Sequence, residues 1–137
     1  MATDARIGVS VVVAALAAAA QYLNGCKVGL FTDLAIPDDW WLIGSYTQPV
    51  NSGYALQSPN FILPDDPTPP VVHAISSNIA WEADPAGVDD MVIGWFLFDE
   101  ELDQVVLVLL YGSVQPFIRA GPFWIDADIS VFAAVFE

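Results

Sequence analysis

The chain has 137 residues, enough for one domain, and 55% of them are hydrophobic, so it must bury a core rather than stay disordered. Seventeen Asp and Glu stand against three cations, Arg6, Lys27 and Arg119, for a net charge of -14. Three scattered cations cannot displace the counterions of a nucleic-acid backbone, and anionic membranes are disfavoured for the same reason, so neither is expected as a partner.

The first segment, "IGVSVVVAALAAAAQYL", is apolar but short for a membrane span and rich in Ala. "MATDAR" pairs Asp4 with Arg6 and lacks the positive region of an export signal. The segment is therefore expected to be a helix within residues 1–25, started by Thr3 or Asp4 and stopped at Asn24-Gly25. A helix apolar on all sides needs a cover, either the domain's own sheet or another subunit. Val11, Val12, Val13 and Leu16 are accordingly candidate interface residues, and the helix a candidate assembly element.

Residues 26–137 read as a single β domain. "KVGLFTD" is a strand pattern. "LAIPDDWW" is a loop, and "WLIGSYTQ" and "GYALQS" read as short strands. "PDDPTPP" is a stiff Pro-rich loop. "VVHAISSNIAWEA" is a strand with a break, "DPAGVDD" a turn, and two or three strands lie around "RAGP" near the end. Strands spaced by Gly, Pro and Asp turns predict a mainly β fold: an antiparallel β-sandwich or barrel, jelly-roll or Ig-like, with one N-terminal helix.

"MVIGWFLFDEELDQVVLVLLYG", residues 91–112, places four carboxylates between two apolar runs. The runs are continuous rather than alternating, which predicts strands covered on both faces. Asp99, Glu100, Glu101 and Asp103 then form a hairpin tip. Their expected role is that of a solvated turn guarding against edge-to-edge aggregation. A cation site and a catalytic pair are the alternatives, although "DEELDQ" lacks the Gly of a calcium loop. Asp126 and Asp128 fall on one side of a strand and receive the same reading. Cys26 and His73 are the single members of their kinds. One thiol and one imidazole are too few for a zinc site, and no orienting motif surrounds either as a nucleophile pair. No catalytic, cofactor-binding or metal-ligating constellation emerges, so no enzyme activity and no cofactor is expected.

Five Trp are many for this length, and Trp40-Trp41 is the informative pair. On a strand, neighbouring side chains point to opposite faces, so one Trp would face outward. Packing under a loop, an interface anchor and a carbohydrate-stacking platform are all open readings for Trp40 and Trp41.

Certain residues recur in an order that resembles a family of small tailed-phage virion proteins. They are Asn24, Gly25, Val28, Leu30, Phe31 and Thr32; Tyr46 and Thr47; Gly53 and Tyr54; Trp81; Gly94, Trp95, Phe96 and Asp99; and Pro116, Ala120 and Gly121. The family's last motif has Gly-Asp where this chain has Gly121-Pro122. The resemblance implies a structural component of the virion, most simply a head decoration (cement) protein. Its partners would be the major capsid protein or other virion proteins, and it would be a homo-oligomer. A tail-associated or fibre-attachment protein is the nearer alternative, and a secreted carbohydrate-binding β-sandwich module the more distant one. The resemblance transfers no catalytic residue.

Overall fold

The structure, a computed structural model, describes residues 9–64, 71–117 and 122–132, with the side chains of 9–13, 71, 112, 114, 131 and 132 excepted. The expected helix cap at Thr3 or Asp4, the Pro-rich stretch 65–70 and the segment 118–121 lie outside the described residues. The helix α1 spans Val9–Gly25 and five strands follow: β1 Lys27–Phe31, β2 Val71–Glu82, β3 Asp90–Asp99, β4 Gln104–Phe117 and β5 Pro122–Phe132. The fold is mainly β and antiparallel, with one N-terminal helix. One sheet has the order β1-β3-β4 and the other pairs β2 with β5. No ladder joins the two sheets among the described residues, so they stack rather than close into a barrel.

Their facing sides share one core. Val28 and Leu30 of β1, Val92, Trp95 and Leu97 of β3, and Phe117 of β4 meet Ala74, Ile79 and Trp81 of β2 and Phe123, Ile125 and Ala127 of β5. The outer face of the three-stranded sheet carries a second cluster. There Phe31, Ile93, Phe96, Phe98 and Val105 are covered by Tyr46, with Ile43 and Leu56 half-buried beside it. The cover is the connection from 32 to 57. This double coverage explains the unbroken apolar run of β3, buried from Val92 to Asp99.

β4 departs from the expectation that both apolar runs are covered on both faces. It is an edge strand, and Leu109 and Leu110 are exposed. "WLIGSYTQ" and "GYALQS" are not strands either. The first holds a single 3-10 turn, Ile43–Ser45, and the second makes one isolated bridge, Val28 to Gln57. The physical reason is that side chains rather than ladders fasten this connection. The buried amide of Asn51 donates to the carbonyls of Asp84 and Val88 and accepts from the N–H groups of Gly53 and Asp84. The Asp90 carboxylate accepts from the N–H groups of Val50 and Asn51. The Tyr54 hydroxyl accepts from Leu30 N–H and donates to Gln48.

The expected break in β2 is a β-bulge between Ser76 and Ile79. Asn78 takes the left-handed conformation there (φ 55°), which Asn tolerates better than most residues, and its N–H donates to Asp126 at 2.9 Å. At the end of α1 the Asn24 side chain pairs with both backbone groups of Phe61. The expected stop at Asn24-Gly25 thus also ties the helix to the body.

Candidate interaction surface

The segment "LAIPDDWWL", residues 34–42, leaves β1 and returns to the sheet. Its base is closed by Thr32 N–H donating to the Thr47 carbonyl at 2.8 Å and Thr47 N–H donating to the Asp33 carboxylate at 2.7 Å. This pinching of the two ends makes a compact Ω-type loop. The loop's crown is held as well. The Tyr46 hydroxyl donates to the Trp40 carbonyl at 2.7 Å, and Val105 N–H of β4 donates to the Trp41 carbonyl at 2.8 Å. Leu42 N–H closes a turn onto the Asp39 carbonyl.

Backbone held in this way would ordinarily let apolar side chains fold inward. Here they do not. Leu34, Ile36, Trp40, Trp41 and Leu42 are all exposed, between 40% and 88%. Leu102, on the hairpin tip that precedes Val105, is also exposed. The Trp rings stand edge to face, 6.3 Å apart and at 85°. They lie on a turn, not a strand, so the expectation that one faces out and one in gives way to two outward rings. Asp38 and Asp39 on the same turn are exposed beside them.

The other sequence-derived candidates are not gathered here. Leu16 is buried within the chain, 1% exposed, on the helix stripe that also contains Ala20 and half-buried Leu23. Val11, Val12 and Val13 fall on α1, but their side chains lie outside the described residues. Leu34, Ile36, Leu42 and Leu102 were not singled out from the sequence. The available signal was an apolar run interrupted by Pro and paired Asp, a composition that forbids a strand yet leaves large side chains without a place inside.

The acidic tip resolves into two kinds of carboxylate. Glu100, Glu101 and Asp103 are exposed. Asp99 is not the solvated acid that was expected: it is buried, and accepts hydrogen bonds from the N–H groups of Glu101 and Leu102 and from the Tyr22 hydroxyl at 2.6 Å. The first two make an Asx-type turn; the third fastens α1 to the hairpin. The bond from Tyr22, together with the turn N–H groups, holds the Asp99 carboxyl below the usual carboxylate range. The same bond, with burial, pushes the Tyr22 phenol well above its ordinary value. A shallow depression of about 370 Å3 lies beside this contact, lined by Gln21, Tyr22, Gly25, Cys26 and residues 99–101. The Cys26 thiol is buried and donates to the Tyr22 carbonyl, and burial pushes its pKa up. A thiol so held is a small core hydrophobe rather than a thiolate.

His73 on β2 pairs instead with Asp128 of β5 at 2.7 Å, both half-exposed, so Cys26 and His73 have separate partners. Among the described residues no group of three or more His, Cys, Asp or Glu could hold a metal ion, and no helix is long and apolar enough to cross a membrane. No family model matches the chain, and comparison with curated proteins and with solved structures likewise finds no match.

Proposed function

We propose that the chain is a structural component of a virus particle, a decoration or cement protein that works by burying apolar surface against coat or other virion proteins. The observation that supports this best is the loop 34–42, which holds five large apolar side chains outward on a fastened backbone. Apolar patches kept exposed in this manner mark sites of association, and Trp is the residue type that most often dominates them. A backbone already fastened loses little further freedom on binding. The order of family-like residues from Asn24 to Gly121 supports the virion as the setting. The perpendicular Trp rings offer no single flat platform for a sugar ring, which weighs against the carbohydrate-binding alternative.

The test is co-sedimentation with purified particles. The full chain is expected to travel with them, and a Trp40→Ala Trp41→Ala variant to remain in the supernatant. A full chain that stays in the supernatant, while being retained on a polysaccharide column, would replace this reading with the binding module.

A further inference from the structure

β4 is an edge of the three-stranded sheet, and none of its 14 residues is charged. Edge strands are normally guarded by charge, proline or a covering loop, because their free N–H and C=O groups invite another strand. Among the described residues the guards stand only near the ends. Val105 N–H is taken by the Trp41 carbonyl, and Pro116 lies near the far end. Leu109 and Leu110 are neighbours, so they project from opposite faces of the sheet, and both are exposed, at 37% and 43%. The straight part of the edge is Leu107–Leu110, between irregularities at Val106 and at 111–114. Next to it runs a groove of about 280 Å3 lined by Tyr111 and Gln115 of β4 and by residues 123–126 of β5. The Tyr111 hydroxyl is buried and has no hydrogen-bond partner among the described residues.

We infer that β4 pairs antiparallel with the β4 of a second copy of this chain, joining two three-stranded sheets into one continuous sheet across a twofold axis near Leu109. One feature favours a second copy, and two more show how such a pair avoids the chain's own charge. A strand paired antiparallel with its own copy is self-complementary, which is what a closed twofold contact requires. With a net charge of -14, two copies repel wherever their acidic turns meet, and β4 is uncharged. Antiparallel pairing also sends the two acidic tips, residues 100–103, in opposite directions. With the axis near Leu109 they lie roughly 40 Å apart at about 3.3 Å per residue, several times the Debye length of about 10 Å at 0.1 M salt. The straight edge is short, so the dimer is a reversible one. The inference does not depend on the virion reading, and its contact at Leu107–Leu110 adjoins the Trp loop, which holds Val105 N–H, without including the Trp side chains.

Sedimentation equilibrium of the full chain tests it. The mass is expected to rise with concentration from 14.8 kDa towards twice that value. A Leu109→Lys Leu110→Lys variant should stay at the monomer mass with an unchanged far-ultraviolet circular dichroism spectrum, and Trp40→Ala Trp41→Ala should dimerise like the parent. In the unaltered protein, amide exchange at Leu107–Leu110 should slow as concentration rises. A parent that stays monomeric at every concentration, a dimer that survives the Lys pair, or a dimer lost with the Trp pair would each overturn the inference. So would edge amides whose exchange ignores concentration.

Discussion

Gly29 and Phe96 stand opposite each other across the β1–β3 ladder, as do Phe31 and Gly94. A Cβ on Gly29 would run into the Phe96 ring, and one on Gly94 into the Phe31 ring and the Leu109 carbonyl. Each ring therefore lies over the glycine facing it, an exchange of bulk that lets two strands carry large aromatics on one crowded face. Neither glycine has positive φ, so the cost of substitution here is steric rather than conformational. Gly94→Ala should lower the free energy of unfolding by about 1–3 kcal/mol, the usual cost of overpacking, as read by urea denaturation.

The Tyr22–Asp99 bond makes a different residue-level prediction. Asp99 is held below its unfolded value, so its contribution to stability is present above the ordinary carboxylate range and is lost as pH falls through the folded value. Tyr22 is held above its unfolded value, so its contribution is present below the ordinary phenol range and is lost as pH rises through the folded value. The gap in melting temperature between the parent and Tyr22→Phe should be level between about pH 5 and 9 and narrow on either side. A gap as large at about pH 2 as at neutrality would show that the hydroxyl does not act through the Asp99 carboxylate.

At the scale of elements, the connection from 32 to 57 decides the architecture. It covers the outer face of the three-stranded sheet and is fastened by side chains, chiefly the fully engaged amide of Asn51. Asn51→Ala would leave the groups that pair with that amide, parts of two segments, without partners. It should cost about 1–3 kcal/mol in denaturant unfolding, since these groups are partly buried and water replaces the amide only in part.

The hairpin tip divides more sharply. Glu100→Gln, Glu101→Gln and Asp103→Asn together should leave the melting temperature nearly unchanged while lowering solubility. Asp99→Asn alone should lower the melting temperature, because it weakens the turn and the tie to α1 together. Equal effects from the two variants would restore the reading of all four acids as solvated.

These elements also show what the sequence makes legible. The β3–β4 hairpin is visible because two apolar runs flank an acidic turn, and α1 because an apolar run ends at Asn-Gly. The β2 bulge leaves its mark in "SSN". The connection misleads, because Tyr, Leu and Ile between Gly and Pro look like short strands when periodicity is the only guide. Their pairing depends on Asn51 and Tyr54 meeting groups from about 24 to 37 residues away in the chain, which no local pattern encodes. Of the candidate surface, Trp40 and Trp41 are legible from residue type alone. Their shared outward orientation depends on hydrogen bonds to Tyr46 and Val105, and is not. Asp99 shows the same limit, since its partner Tyr22 is 77 positions away.

For the molecule as a whole, the proposed function assigns charge and apolar surface to different steps of association. The acids lie largely in turns, and exposed ion pairs contribute only about 0–1 kcal/mol each. A Trp closed off from water in an interface contributes about 2 kcal/mol or more. With a net charge of -14, the chain's field opposes non-specific clumping away from the uncharged β4 edge and would speed encounter with a basic surface, an effect that salt weakens. On the proposed function, holding the complex together falls to the apolar loop, and salt would leave that nearly untouched.

The decisive measurement is the dissociation rate of the chain from purified particles between roughly 0.05 and 1 M NaCl, over which the Debye length falls from more than 10 Å to about 3 Å. The account predicts a rate for the parent that barely changes across this range, and a rate for Trp40→Ala Trp41→Ala at least about tenfold faster at every salt concentration, the equivalent of about 1.4 kcal/mol. Release of the parent by salt alone, with the double variant still bound at low salt, would contradict it and assign the contact to the carboxylates instead.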